Sequence, residues 1–397
     1  MKKTLVAVFA FVFLLGVMGV AAQEKGAGKF DKPSKAKNVQ ISKKQVLSES
    51  DRKKLDSIES ELKGKPVKVS TVVDPSVGGV TGALGDAIPS GGKKYAILVG
   101  LANYPGTVND LCVVDAKTGE NYPTMEDGLA YYCKDEDTVH MKQALVDEYG
   151  YDAENIYTFS DAGANFDSIK SRIDELVGTE TAPGKLTADD ELVFFFSGHG
   201  STGIAYDGTG AEELSKDEDL DEAIVIYDQE YDENAFLNDP AYAASYVAGD
   251  SAFIWDDQLR AWFANSLTDR IFFAFDTCRA GGMDDLQSAG RVLAMSSTES
   301  QSSYTYYLGG TQTDVDVIQS SEGLFAHYFV RRAMSDELGD GSNPLSKKDP
   351  TKYDGNVAVE EAFSYAYPIV RTATGNRQNP TLNDKFFNDL LLGYQLD

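Results

Sequence analysis

Two reactive side chains in the sequence follow continuous apolar runs at the same distance. His199 comes three residues after the run 192–196, and Cys278 comes three residues after the run 271–275. A thiol attacks a carbonyl as the thiolate, and an imidazole within hydrogen-bond reach both lowers the thiol pKa and later protonates the leaving amine. If the two runs form neighbouring strands, the sequence predicts Cys278 as a nucleophile and His199 as its general base.

Glycines flank the histidine on both sides, at Gly198 and Gly200. Because glycine has no Cβ atom, backbone and substrate can approach closely, and the exposed N–H groups can contribute to an oxyanion hole. Taken separately, His199 fits an ordinary glycine-rich turn and Cys278 fits a buried structural thiol. Their joint position, each after an apolar run, favours the catalytic interpretation.

The elements that must position these residues follow from the hydrophobic pattern. Short apolar runs alternate with segments of helical periodicity, which is typical of buried parallel strands joined by crossover helices. The sequence therefore predicts an α/β fold, a three-layer α/β/α sandwich with a mainly parallel sheet. Ligands bind outside the carboxyl ends of the strands in such sheets, which is where His199 and Cys278 are expected. The predicted strands are 95–100, 155–159, 191–196, 270–275 and 291–295, and the predicted helices are 137–149, 166–177, 255–265 and 323–334.

The first 22 residues have the pattern of an export signal. Lys2 and Lys3 precede an apolar run at 5–20, and small residues stand where a signal peptidase would cut before Gln23. An uncleaved membrane anchor is the competing interpretation, although the run is short for a spanning helix. We therefore expect a secreted or cell-envelope-associated protein with no stable membrane span after signal cleavage.

Charge separates a basic arm, residues 23–94, from an acidic domain, residues 95–397. The arm has fifteen basic and nine acidic residues, whereas the domain has a net charge of −35, and this asymmetry predicts that the two associate. The arm is expected to contain a charged helix at 43–62. It is either a solvated spacer or the pro-segment of a zymogen, with an exposed cut site at Lys93-Lys94. The net charge of −27 for the whole chain argues against nucleic-acid binding.

Two insertions interrupt the domain, at 105–127 and at 204–250, and the second is strongly acidic. Cys112 and Cys133 bracket the first insertion. In an oxidising compartment they either pair as a disulfide or remain two small apolar side chains. Pairing would leave Cys278 as the odd, reactive cysteine.

These motifs resemble those of the caspase-like cysteine peptidases, and they are closer to the metacaspase and prokaryotic caspase-family branch than to animal caspases. The resemblance covers roughly residues 95–396. It rests mainly on the Phe-Phe-Phe-Ser-Gly-His-Gly motif that ends at Gly200 and on the Asp-Thr-Cys motif that ends at Cys278. The first strand, 95–100, supports it.

The resemblance implies the caspase-hemoglobinase fold and an endopeptidase acting on proteins or peptides. Cys278 would be the nucleophile and His199 the general base and acid. The N–H groups of Gly200 and Cys278 would form the oxyanion hole. No cofactor is required for this chemistry, and the sequence leaves the oligomeric state open.

The resemblance also implies an acidic substrate pocket. Asp137, Ser197 and Asp276 map onto the pocket that accepts Arg or Lys in metacaspases, and paired carboxylates suit a cationic side chain. Cleavage after Arg or Lys is therefore expected. Arg279 keeps specificity for Asp or Asn open. A catalytically silent binding or scaffold protein with this fold is the remaining alternative.

Acidic residues at two places suggest a bound calcium ion. Asp219, Asp221 and Glu222 lie in the second insertion, and Asp285 follows the nucleophile. Calcium takes about six to eight oxygen ligands, and calcium-activated metacaspases are similar in having carboxylates at these two places. The alternative is a solvated acidic loop.

Overall fold

The structure is a computed structural model that describes residues 35–62, 80–105, 110–112, 130–206, 221–229, 252–312, 316–342 and 354–396. The expected export signal at 1–22 and most of the two expected insertions lie outside these ranges. Among the helices that the structure describes, none is long and apolar enough to cross a membrane.

The described residues form sixteen strands and six α-helices, together with a π-helix and three 3₁₀ helices. The strands are β1 (Lys35–Ser42), β2 (Gln45–Val46), β3 (Lys94–Gly100), β4 (Ala130–Asp135), β5 (Ile156–Ser160), β6 (Gly178–Thr179), β7 (Ala182–Pro183), β8 (Glu191–Ser197), β9 (Gly200–Tyr206), β10 (Asp221–Val225), β11 (Phe253–Trp255), β12 (Ile271–Asp276), β13 (Arg291–Met295), β14 (Tyr304–Gln312), β15 (Asp316–Gly323) and β16 (Thr381–Asp384). The helices are α1 (Glu49–Leu62), α2 (Asp137–Asp147), α3 (Phe166–Val177), α4 (Asp256–Phe263), α5 (Leu324–Ala326), the π-helix (His327–Ser335) and α6 (Val359–Ala373), with 3₁₀ helices at Ala153–Asn155, Asp161–Gly163 and Ala280–Leu286.

A six-stranded sheet forms the centre of the molecule, in the order β16-β13-β12-β8-β3-β5. All neighbouring strands in it are parallel except β16, which runs antiparallel to β13. Every residue of β8 and β12 is buried, because continuous apolar runs suit strands that are covered on both faces. This mainly parallel sheet confirms the predicted α/β fold class.

Alternate side chains of the central strands form a hydrophobic core on each face of the sheet. On one face, Phe194 belongs to a cluster with Ile169 of α3 and Phe263 of α4. On the other face, Phe195 belongs to a second cluster that includes side chains of α2, α6 and the π-helix. Helices therefore cover both sides of the sheet in three layers, and the carboxyl ends of β3, β8 and β12 meet at one edge.

Two smaller sheets include strands from the arm. The first has the order β1-β9-β10-β11 and the second the order β2-β14-β15-β4. β1 runs antiparallel to β9, with Ser42 opposite Gly200. β2 runs parallel to β14, with Gln45 opposite Tyr304. The arm thus covers two strand edges that would otherwise present unpaired backbone groups.

The arm differs from its predicted form. The sequence predicts a helix at 43–62, whereas α1 begins at Glu49, because Gln45 and Val46 form β2 and pair with β14 instead. The predicted cut site is also not an open linker. Lys94 is the first residue of β3, and the Lys93 carbonyl accepts a hydrogen bond from the Glu191 N–H at 2.8 Å. A cut there would separate the central sheet from its own first residue.

Two other elements depart from the sequence prediction. Part of the expected insertion 204–250 is β10, whose five residues are all buried, so this part belongs to the folded domain. The predicted helix 323–334 is one short α-helical segment followed by the π-helix. Hydrophobic periodicity does not distinguish these two helix types over so short a range.

Candidate active site

The motifs that contain His199 and Cys278 leave the central sheet at the same level. Ser197 and Asp276 are direct neighbours across the parallel strands β8 and β12, and His199 and Cys278 each follow two residues later. Gly200 lies against Cys278, since a Cβ atom at this position would come within 2.0 Å of the Cys278 carbonyl oxygen. A side chain at residue 200 would therefore force the two motifs apart.

Serine hydroxyl groups hold the loop that carries Cys278. The Thr277 carbonyl accepts hydrogen bonds from Ser296 Oγ at 2.9 Å and from Ser303 Oγ at 2.7 Å. Ser303 also donates its backbone N–H to Cys278 Sγ at 3.3 Å. Arg279, directly after the cysteine, has left-handed backbone with φ of 60°, which is uncommon for a residue with a side chain. These contacts fix the direction of the thiol.

The Cys278 thiol is neutral in this state of the molecule. Its residue is only 1% exposed, and burial raises the pKa of the thiol to about 11, although the Ser303 N–H and the charge of Lys44 act in the opposite direction. Because the thiolate is the nucleophile, the buried thiol is unreactive near pH 7.

Tyr104 positions the histidine, although it was not predicted from the sequence. Its ring stacks on the His199 imidazole with centroids 4.9 Å apart, and its hydroxyl oxygen accepts the His199 backbone N–H at 2.8 Å. Tyr104 follows β3 by four residues at the carboxyl edge of the sheet. That position was the signal by which it could have been found.

The three residues expected in the acidic pocket are brought together. Asp137 accepts the Gly323 N–H at 2.9 and 3.0 Å and also accepts a hydrogen bond from Ser197 Oγ. Asp276 accepts the Ala326 N–H through Oδ2 at 2.7 Å. All three side chains are buried. Backbone donors therefore fix two carboxylates that converge on one small space.

Lys44 of the arm fills that space. Its ammonium lies 3.1 Å from Asp276 Oδ1, 3.9 Å from Asp137 Oδ2 and 3.0 Å from Ser197 Oγ. Burial acts to lower the pKa of Lys44, but the two carboxylates outweigh it and the pKa is raised above its usual value. The lysine is therefore charged, as an ion pair with Asp276. Burial raises the pKa of Asp137 well above its usual value, with Lys44 opposing and the charge of Asp276 adding to the rise.

The structure describes three of the four acidic residues that were predicted to bind calcium. Asp219 is outside the described residues, Asp221 and Glu222 are on β10, and Asp285 forms an ion pair with Arg260 at 2.7 Å. Asp256, the first residue of α4, lies near these carboxylates and was not predicted from the sequence. Burial raises its pKa well above the usual value, and the charges of Asp257, Asp221, Asp285 and Glu222 add to this. In the described ranges, no group of three or more His, Cys, Asp or Glu side chains is arranged to hold a metal ion.

Cys112 and Cys133 are joined by a disulfide, with Cα atoms 5.4 Å apart. Cys133 also donates its N–H to Asn103 Oδ1 at 2.8 Å, and Asn103 directly precedes Tyr104. The disulfide therefore braces the loop that carries the tyrosine. Cys278 is the reduced thiol among the three cysteines of the chain.

His140 and His327 lie away from the nucleophile and share one carboxylate. Each ring Nδ1 is 2.6 Å from an oxygen of Glu322. Tyr306 stacks on the His327 ring with centroids 4.1 Å apart. These histidines are packed in a polar cluster next to the pocket, and they are not positioned as partners of Cys278.

Comparison with known proteins gives one informative similarity. No protein-family model matches the chain. Metacaspase-1 of Schizosaccharomyces pombe is 27% identical over 199 residues, which is 49% of this chain and 36% of that protein. The chain thus spans little more than a third of the length of this relative. The similarity suggests the caspase-like peptidases, in agreement with the mainly parallel fold.

Proposed function

We propose that this protein is a cysteine endopeptidase that cleaves peptide bonds after Lys or Arg. The observation that carries the proposal is the Lys44 ammonium held between Asp276, Asp137 and Ser197, because Asp276 stands two residues before Cys278. A lysine side chain thus fits the acidic pocket while its backbone lies beside the catalytic pair.

The proposed reaction uses only side chains and backbone groups of the described site. His199 takes the proton of Cys278, and the thiolate attacks the carbonyl carbon of the substrate. The N–H groups of Gly200 and Cys278 stabilise the oxyanion. His199 then protonates the leaving amine, and water activated by His199 hydrolyses the thioester. Tyr104 holds the imidazole through these steps.

The pocket charge supports specificity for basic residues. A substrate ammonium or guanidinium replaces the Lys44 charge and pairs with Asp276, whereas an Asp side chain would bring a third carboxylate into the same buried space. Planar guanidinium also matches a carboxylate in two hydrogen bonds. Cleavage after Asp is therefore disfavoured by the groups in place.

Export is a second part of the proposal. The apolar run at 5–20 after two lysines supports it, and the Cys112–Cys133 disulfide is of the kind that persists outside the cytosol. Appearance of the mature chain, beginning near Gln23, in the culture medium or envelope fraction tests it. Retention of the whole chain inside the cell would contradict it.

Calcium binding is a third part. Asp256 Oδ1 is buried and has no hydrogen-bond partner among the residues that the structure describes, and it lies among carboxylates whose charges raise its pKa. A calcium ion would neutralise this group, with Asp221, Glu222, Asp285 and the undescribed Asp219 as further ligands. Removing calcium with a chelator should lower both melting temperature and turnover, and calcium but not magnesium should restore them. No change in either quantity would rule the ion out.

Peptide turnover tests the peptidase directly. Wild type and Lys44→Ala are assayed on fluorogenic peptides that differ only before the scissile bond, carrying Lys, Arg, Asp, Asn or Leu. We expect cleavage of the Lys and Arg peptides and a loss of about 10⁴-fold or more when Cys278→Ala is added. Turnover that survives Cys278→Ala would refute the nucleophile. If neither wild type nor Lys44→Ala cleaves any of the peptides, the result would favour the alternative of a catalytically silent scaffold protein.

A further inference from the structure

The arm crosses the active site between two anchored segments. On one side β1 pairs with β9, and Arg279 Nε donates to Ser42 Oγ at 2.9 Å. On the other side Leu55 of α1 is buried in the core, and Tyr328 donates its hydroxyl to Glu59 at 2.8 Å. The residues between these anchors therefore lie in the cleft as part of the folded chain.

The short segment 42–46 contacts both catalytic residues. The Lys44 N–H donates to His199 Nδ1 at 3.1 Å, so this ring nitrogen is an acceptor that is already engaged. The Gln45 N–H donates to the Ser303 carbonyl at 2.7 Å, next to the Ser303 N–H that binds Cys278 Sγ. The segment therefore blocks three parts of the site together. It binds the His199 ring, it lies beside the Cys278 thiol, and its Lys44 side chain fills the acidic pocket.

The direction of the segment does not suit cleavage after Lys44. In that reaction the leaving nitrogen is the Gln45 amide, and His199 must deliver a proton to it. In the structure the Gln45 amide faces the Ser303 carbonyl, whereas the amide at His199 belongs to Lys44 itself. Catalysis would require the Gln45 amide at His199, so the backbone of the segment runs in the reverse direction from a substrate. A substrate running the opposite way would place its leaving nitrogen at His199.

We propose that residues 42–46 form an internal inhibitor, in which Lys44 occupies the specificity pocket like a substrate side chain while the reversed backbone prevents its own cleavage. This inference rests on the proposed function and adds its regulation. Charge complementarity supports it, since a basic arm lies on an acidic domain. Activation then requires withdrawal of Lys44, and a cut after Lys44 is not part of it.

The accessibility of Cys278 tests the inhibitor without using peptidase activity. The full chain is treated with iodoacetamide at pH 8 under folding conditions, and alkylation of Cys278 is followed by mass spectrometry. Lys44→Ala should raise this rate by about tenfold or more, equivalent to a shift of about 1.4 kcal/mol in the closed-to-open equilibrium. Lys53→Ala is the matched control, because Lys53 is an exposed lysine of the same arm whose side chain is 72% accessible. It should leave the rate unchanged.

The opposite sign would overturn the inhibitor. If Lys44 only supplied a positive charge near the thiol, its loss would raise the thiol pKa and slow alkylation. A rate for Lys44→Ala at or below wild type therefore contradicts the proposal. Circular dichroism confirms that the variant is folded, and Lys44→Arg, which keeps the charge, serves as a second variant expected to stay closer to wild type than Lys44→Ala.

The bond after Lys44 provides an independent check. Wild-type chain incubated with the Lys44→Ala variant should keep its Lys44–Gln45 bond, whereas a new amino terminus at Gln45 would refute the reversed direction. Faster alkylation of Lys44→Ala without peptide turnover would support the inhibitor and refute the peptidase. Equal turnover by wild type and Lys44→Ala would refute the inhibitor and leave the peptidase intact.

Discussion

Lys44 and Asp276 form a buried ion pair, with Nζ and Oδ1 3.1 Å apart. Asp276 lies two residues before Cys278 in the sequence. Both side chains of the ion pair are at most 1% accessible. Removing one partner of such a pair leaves an uncompensated buried charge, which is strongly unfavourable. The arm and the loop that carries Cys278 are thus joined by a contact inside the buried pocket.

Asp276→Asn should weaken cleavage of Lys peptides. The substitution keeps the shape of the pocket but removes the charge opposite the substrate ammonium. Losing one partner of a buried charged pair costs about 2–5 kcal/mol of binding free energy. In the Lys44→Ala background, kcat/KM for Lys peptides should fall by about 30-fold or more, while any Leu-peptide turnover should change little. Asp174→Asn, which removes a carboxylate of α3 outside the site, is the control. Equal loss on Lys and Leu peptides would contradict a specificity role for Asp276.

Tyr104→Phe should lower kcat with little effect on KM. Phenylalanine keeps the stacked ring but removes the oxygen that accepts the His199 N–H at 2.8 Å. Leaving a buried N–H without a partner costs about 1–3 kcal/mol, so we expect kcat to fall by about fivefold or more. Tyr157→Phe removes a tyrosine hydroxyl of β5 that accepts a hydrogen bond from Lys185 Nζ at 3.4 Å, outside the site, and should leave kcat unchanged. A rise in KM at constant kcat would show that Tyr104 binds substrate instead.

The rate at which wild-type Cys278 is alkylated should keep rising with pH well above pH 9. Because burial raises the thiol pKa to about 11 in the closed chain, the rate should climb about tenfold per pH unit beyond pH 9 before it levels. The raised pKa also favours the folded chain in its neutral form, so this contribution to stability is present below pH 9 and is lost as pH rises towards 11. A rate that levels at or below pH 8.5 would contradict a thiol held neutral by burial.

Glu322 should stabilise the fold at neutral pH and lose its effect in acid. Burial alone would raise its pKa, but hydrogen bonds from His140 and His327 and their charges lower it to about 2, from its ordinary 4.5. The stabilisation is therefore present above about pH 4.5 and disappears as pH falls towards 2. Glu322→Gln should lower the free energy of unfolding at pH 6 by up to about 3 kcal/mol.

The control for this prediction is Glu175→Gln, in a partly exposed ion pair with Arg172, which should change the free energy of unfolding by less than about 1 kcal/mol. Chemical denaturation at pH 6 and at pH 3 measures both variants. An equal difference between wild type and Glu322→Gln at the two pH values would show that titration of Glu322 is not the cause.

Much of the central fold was predictable because its signal is local. The continuous apolar runs placed β3, β5, β8, β12 and β13 within one residue of their observed bounds, since a strand buried on both faces needs apolar residues throughout. The same rule predicted that His199 and Cys278 follow two neighbouring strands, and their positions after β8 and β12 confirm that placement.

The missed residues depend on contacts that local patterns do not encode. Lys44 lies in a charged stretch with helical character, and its place in the pocket follows from pairing of β1 and β2 with distant strands. The opposite charges of the arm and the domain indicated that the two associate, but they did not indicate which residue of the arm enters the pocket. Asp256 was read as part of a helix, and its proximity to β10 arises only after the chain has folded.

Covalent capture of the active site tests the proposed nucleophile and the proposed basic specificity in one experiment. The Lys44→Ala chain is treated with a peptidyl chloromethyl ketone that carries lysine next to the reactive group, and its intact mass is measured. We expect one adduct per chain, located on Cys278 and formed much faster than with the matched aspartate reagent. Equal labelling by both reagents, or a chain whose Cys278 reacts with iodoacetamide but not with the lysine reagent, would contradict it.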